Sequence, residues 1–400
     1  MTLAPERQAL AWPGLDIVPS GPRTAVSAYV ARQLYDAALR RLPLADDAIT
    51  IHRPDELFAR LGRDGLIGFG EAYLTGAWDA DDLTGFLTVL ATEVADLVPR
   101  PLQRFRGLVG RRTPSGHRPS EDQTRELIAH HYDLSNDLFR LFLDETMSYS
   151  SALFDTSTDL VTAQHRKIDR LLDDAGVGPG TRVLEIGTGW GELAIRAAGR
   201  GATVRSITLS TEQQALARER IAAAGHADRV EVELCDYRHV AGQYDAVLSV
   251  EMVEAVGHEY WPAYFRTLDR VLAPGGRVGI QAILMPHDRM LATRGSFTWI
   301  NKYIFPGGFL PSAQVIDEVC AEHTSLGVTG RLSFGLDYAE TLRRWDETFR
   351  ARHDDVLALG FDETFIRMWH FYLAYSRAGF ASGYLDVQQL VLTRVKGPHA

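Results

Sequence analysis

Cysteine is nearly absent from this chain: Cys235 and Cys320 are the only two among 400 residues. Two thiols build neither a disulfide framework nor a zinc site of recognised spacing, so free thiols in a reducing compartment and no metal centre are expected. Long hydrophobic runs are missing as well. No window approaches the roughly 20 apolar residues of a membrane span, and the amino terminus lacks the basic-then-apolar order of a signal peptide, which points to a cytoplasmic protein. Positive charge is not in excess either: the net charge is −10, which argues against nucleic acid as a partner held by phosphate contacts. What is abundant is apolar content, 46% of the chain, enough for a large core, and the length suits two domains or one with sizeable additions.

One segment departs from the acidic average. Between Arg100 and Arg118 there is no acidic residue, and Arg100, Arg104, Arg106, Arg111, Arg112 and Arg118 alternate with Leu102, Phe105, Leu108 and Val109. Such a stretch reads either as an interfacial segment, with arginines at anionic head groups and apolar side chains at the acyl boundary, or as a solvated linker. Pro99, Pro101, Pro114 and Pro119 favour a connection at this place. The expected division is therefore a mainly helical domain over 1–98 serving lipid contact or oligomerisation, a basic linker over 99–121 and a third segment over 122–400. Helices are expected at Val26–Leu42 and Asp81–Ala95, with a glycine-punctuated stretch, Gly62 to Gly76, between them.

From about residue 122 strand-like and helix-like segments alternate, the pattern of a doubly wound α/β sheet. Strands are expected at Arg182–Ile186, Thr203–Leu209, Val230–Leu234 and Tyr244–Val250, with a Pro274-Gly275-Gly276 turn before a fifth at Arg277–Ile283. The first runs into Gly187-Thr188-Gly189-Trp190-Gly191, where glycines permit close backbone approach. Gly-x-Gly-x-Gly differs from the Gly-x-Gly-x-x-Gly of dinucleotide binders and points to S-adenosylmethionine. Ligands in such sheets sit at the carboxyl ends of the strands, so Glu185, Thr208, Asp236, Tyr237 and Glu254 should meet in one crevice. Singly, each also reads as a cap or a turn residue. Together they suit an adenosine, with Thr208 or Gln213 near the ribose and Asp236 and Tyr237 beside the adenine.

Further blocks narrow the reading. Tyr132–Phe139, Thr146–Phe154, Val183–Gly191, Thr208-Leu209-Ser210, Glu254–His258, Trp299–Gly308 and Tyr338–Leu342 resemble successive blocks of the cyclopropane-fatty-acyl-phospholipid synthase family. The resemblance runs from about residue 65 to 394, and Gly68–Trp78 is similar to the amino-terminal domain of members that act on phospholipids. It implies a class I methyltransferase (Rossmann-like) sheet, and transfer of a methyl group from S-adenosylmethionine to a cis double bond of a membrane phospholipid acyl chain, at the inner face of the membrane. It also places Tyr149, Ser150, Glu185, Gly187, Gly189, Gly191, Thr208, Leu209, Gln213, Asp236 and Tyr237 around the cofactor.

An alkene is a weak nucleophile, so such a site must align the methyl with one carbon and keep water from the carbocation. Aromatic faces suit that task, with Tyr149, Trp299, Tyr303, Phe305, Tyr338 and Tyr375 as candidates, while core packing competes for each and is the better reading of Trp299 and Phe305. In the family a bound bicarbonate removes the proton. Its glutamate falls on Glu254, its tyrosine on Tyr338 and its backbone-contributing isoleucine on Ile283, whereas its cysteine is Ser151 here and its histidine Gln281. Those two departures leave open whether a bicarbonate or an equivalent base acts, and whether the product is a cyclopropane or a methylene branch that a separate reductase saturates. The Glu251–Gly257 and Gln281–Ile283 blocks resemble the branching members more. A homodimer, a methyltransferase for a soluble small molecule and a non-catalytic lipid-binding relative remain the alternatives.

Overall fold

The computed structural model describes residues 12, 14–45, 47–97, 135–155 and 159–395. The basic segment 100–118 and residues 132–134 of the first resemblance block lie outside them. The described chain divides into two compact units, and the division is not contiguous. One contains the residues up to 97 with Gly295–Ile304 and Leu342–Ser382; the other contains the remainder. The sequence reading drew a single boundary near 98–122. Long-range packing replaces it, because helix Glu363–Ala381 lies against helices Leu66–Leu74 and Leu83–Leu97.

The helical unit starts with Pro22–Leu39 and Pro54–Asp64, each opened by a proline whose fixed φ suits the first turn. A small antiparallel ladder, β1 (Thr50–Ile51) with β2 (Trp78–Asp79), ties its loops. The glycine-punctuated stretch Gly62–Gly76 is largely helical. Leu66–Leu74 is a helix, and a Cβ on Gly68 would come within 2.0 Å of the Arg60 carbonyl oxygen. A Cβ on Gly62 would likewise reach the Ser27 backbone at 2.5 Å, so these glycines permit close helix packing. Trp299 occupies the room left by Gly70 and meets Phe371 edge-on at 4.8 Å. Tyr303 donates its hydroxyl to buried Glu71 at 3.0 Å, and Tyr375 stacks on Phe371 at 6.3 Å. Of the six aromatic candidates, these three belong to the helical unit and pack there.

In the second unit, seven strands among the described residues form one sheet in the order β5-β4-β3-β6-β7-β9-β8. They are β3 (Arg182–Ile186), β4 (Thr203–Thr208), β5 (Val230–Leu234), β6 (Tyr244–Val250), β7 (Leu272–Leu284), β8 (Leu326–Ser333) and β9 (Asp386–Arg394). All neighbours up to β7 pair in parallel, and β9 runs antiparallel between β7 and β8. The four expected strands stand within one residue of their expected bounds. The expected turn before the fifth lies inside β7, as an irregularity whose register jumps from Tyr244↔Leu272 to Ala246↔Arg277. Adjacent strand residues point to opposite faces, so Val183 joins the core of Leu171, Leu193 and Ile221, while Leu184 joins that of Trp261, Tyr264 and Leu268. This is the class I methyltransferase fold expected from the sequence.

Candidate active site

The parallel strands deliver their carboxyl ends to one cleft, lined by the chain after β3, β4, β5 and β6 and by the segment 147–150. After β3 the backbone turns through Gly187 (φ 96°) and Gly189 (φ 52°), values that L side chains rarely adopt. The amides of Gly187 and Thr188 both donate to the Ile207 carbonyl, at 3.0 and 3.2 Å, which fixes the loop to β4. A Cβ on Gly189 would meet nothing within 4 Å, so this backbone faces open cleft. Gly191 differs from its neighbours: it caps helix Glu192–Gly199 at φ 91° and packs on Ala217, and it is not part of the lining.

The polar residues around this loop are held by one another. Ser206 donates its hydroxyl to the Glu185 carboxyl at 2.5 Å, and burial nevertheless pushes that carboxyl up to about 8. Thr208 donates to Gln213 Oε1 at 2.9 Å, which leaves the Gln213 amide nitrogen as the remaining donor, and Ser210 caps helix Thr211–Ala223 through the Gln213 amide. Leu209 adds an apolar wall. Burial works against the charge of Asp236, but the Arg238 guanidinium at 2.6 Å and the Arg238 amide at 2.9 Å hold its carboxyl below the ordinary range. Tyr237, next to it, is buried against Tyr264. Tyr149 lies edge-on to Phe139 at 5.1 Å, and Ser150 accepts from the buried Lys167 ammonium at 2.7 Å.

A second cluster adjoins the loop, and its centre is a residue the sequence reading did not select. Glu251 follows β6 at φ 51°, a left-handed conformation that costs a non-glycine residue about 1–3 kcal/mol. Its side chain is half-buried in the cleft wall. One carboxyl oxygen accepts from the Ser151 amide at 3.0 Å and the Gln281 side-chain amide at 2.8 Å; the other accepts from the Tyr338 hydroxyl at 2.7 Å. Burial raises its carboxyl above the usual range, while these donors and the Lys167 charge pull in the opposite direction. Gln281 is oriented from behind, because its own oxygen accepts from Gln389 at 3.2 Å. The lysine is itself held down to about 8 by burial.

Ser151, Gln281 and Tyr338 thus come together, but around Glu251 and not around Glu254 as expected. Glu254 accepts the Ile283 amide hydrogen bond on one oxygen, and its other buried oxygen has no hydrogen-bond partner among the described residues. Burial first, and the neighbouring Glu251 charge second, push it up to about 8. The Ser151 hydroxyl also does not serve the cluster: it donates to the Ala152 carbonyl at 3.0 Å, leaving the main-chain amide as the contact. Glu251, Lys167 and Gln389 were missed from the sequence. The available signal was a second acid at the carboxyl end of β6, three residues before Glu254.

A doubly wound sheet with a Gly-x-Gly-x-Gly cleft at its strand ends defines the class I S-adenosylmethionine-dependent methyltransferases. A family model described as mycolic acid cyclopropane synthetase matches residues 119–390, and the chain belongs to that family. It is similar to the tuberculostearic acid methyltransferase UfaA1 of Mycobacterium tuberculosis, at 56% identity over 97% of this chain and 96% of that protein. It is also similar to the cyclopropane-fatty-acyl-phospholipid synthase of Escherichia coli, at 34% identity over 86% and 87%. Among solved structures, the mycolic acid cyclopropane synthase CmaA1, complexed with S-adenosylhomocysteine and CTAB, aligns with a TM-score of 0.63 and 31% identity, covering 69% of this chain and 98% of that one. This protein is an S-adenosylmethionine-dependent C-methyltransferase of the lipid-modifying kind.

Proposed function

We propose that this enzyme methylates the cis double bond of a phospholipid acyl chain and releases a methylene-branched chain in preference to a cyclopropane. The observation that carries the reading is the adjacency of two sites in one cleft: a glycine loop with open space over Gly189, and a wall holding the hydrogen-bonded Glu251 carboxylate. The first fits S-adenosylmethionine, because the loop lets a ligand reach the backbone while Glu185, Gln213 and Asp236 offer polar contacts along it. Bound there, the cofactor supplies an electrophilic methyl group. Tyr149 and Tyr338 then contribute aromatic surface near the reacting centre, which stabilises a cation without offering a lone pair that would trap it. The name of the 56% identical relative and the Gln281 and Ser151 departures favour branching over ring closure. Incubation with an oleoyl phospholipid and labelled cofactor, followed by mass spectrometry, should show mainly the methylene product. A wholly cyclopropane product would remove the branching assignment.

The acyl substrate also asks for a membrane-facing surface. Among the described residues no helix is long and apolar enough to cross a membrane, and the acid-free arginine segment 100–118 is the feature suited to peripheral attachment. The protein should therefore bind anionic vesicles with an affinity that falls as salt rises from about 0.05 to 0.5 M. Equal binding to neutral vesicles in a flotation assay would count against this attachment. A homodimer, and a separate reductase acting on the branched product, complete the proposal.

A further inference from the structure

The bicarbonate implied by the family resemblance does not fit this chain. The donors that would hold a free anion, the Ser151 amide, the Gln281 amide and the Tyr338 hydroxyl, already end on the Glu251 carboxylate at 3.0, 2.8 and 2.7 Å. A further anion would also lie against two carboxyl groups, half-buried Glu251 and buried Glu254, with Lys167 as a neighbouring buried cation. Glu251 occupies a position whose backbone suits glycine, so the carboxylate is held there against a conformational cost.

From this geometry we propose that the Glu251 carboxylate is the enzyme's own proton acceptor and takes the place of an exogenous anion. The inference rests on the methyl-transfer reading above. An ionised carboxylate has about four acceptor sites; three are filled here, which leaves one on the oxygen facing Tyr338. Methyl transfer breaks the bond between sulfur and the methyl carbon and joins that carbon to one alkene carbon, so the neighbouring carbon becomes cationic. A hydride then moves from the methylated carbon to its neighbour. The Glu251 oxygen takes a proton from the new methyl, the electron pair of that C–H bond becomes the exocyclic double bond, and the proton passes to solvent before the next turnover. Tyr338 and Gln281 hold the carboxylate in place, and Lys167 favours its charged form.

The test compares turnover of an oleoyl phospholipid in CO2-free buffer with and without added bicarbonate. Wild type should be indifferent to bicarbonate. Glu251→Gln should bind S-adenosylhomocysteine with wild-type affinity by calorimetry, yet lose turnover by about 100-fold, the scale of lost acid–base assistance, with no rescue by bicarbonate. Glu251→Gly relaxes the backbone and opens the pocket, so it should keep its melting temperature and regain turnover when bicarbonate or formate is added. Wild-type turnover that depends on bicarbonate, or a fully active Glu251→Gln, would overturn the assignment of the base alone. A wild-type protein that binds the cofactor product but methylates no lipid would overturn the methyl-transfer reading with it.

Discussion

Gly189→Val should weaken binding of S-adenosylhomocysteine by about 100-fold or more, equivalent to roughly 3 kcal/mol, while the protein stays folded. The position is unusual in two ways. Its φ of 52° is one that a β-branched residue resists, and a Cβ placed there would touch no atom of the described residues within 4 Å. A valine would therefore not disturb the core; its methyl groups would stand in the open cleft where a ligand must approach the backbone. Neighbouring glycines make the contrast. A Cβ on Gly187 would strike Met252 at 2.7 Å and one on Gly191 would press on Ala217 at 3.3 Å, so substitutions there mix packing with binding. Calorimetry on Gly189→Val, with circular dichroism as the folding control, separates the two. Near-wild-type affinity in a folded variant would show that this loop is not the cofactor site.

Lys167→Met should lower turnover at pH 7 by about tenfold or more and move the acid limb of the kcat profile to higher pH. The sign follows from the charges. Burial raises the Glu251 carboxyl and the Lys167 ammonium opposes that rise, so removing the ammonium moves the carboxyl further up. A protonated Glu251 cannot accept a proton, so the activity lost at a given pH should return as the pH is raised. Methionine keeps the length and apolar stem of lysine, although Ser150 loses its 2.7 Å donor. A purely structural role for the lysine would depress kcat at every pH alike. An unshifted profile would therefore exclude the lysine from setting the charge of Glu251.

The second unit was largely legible as a string of residues. Short apolar runs ending in Glu185, Thr208, Asp236 and the Glu251–Glu254 segment have the strand period, and the Gly-x-Gly-x-Gly turn after β3 follows from backbone sterics alone. Both signals are local: a strand needs only its own alternation or continuity, and a positive φ needs only glycine. The helical unit was less legible for the same reason. Gly62, Gly68 and Gly70 look like turn residues in isolation, and only the approach of Ser27, Arg60 and Trp299 shows that they are packing contacts.

The sequence by itself determined the parallel strands, the glycine cradle and hence the methyl donor that this protein uses. Tertiary structure decided which acid sits among the donors. Glu251 and Glu254 are three residues apart on one connection after β6, and nothing in their spacing ranks one above the other. The left-handed backbone at Glu251 turns its carboxylate toward Ser151, Gln281 and Tyr338, residues 100, 30 and 87 positions away in the chain, while Glu254 accepts from the Ile283 amide. Side-chain direction at a strained position depends on contacts that no local pattern encodes, and the identity of the base follows from that direction.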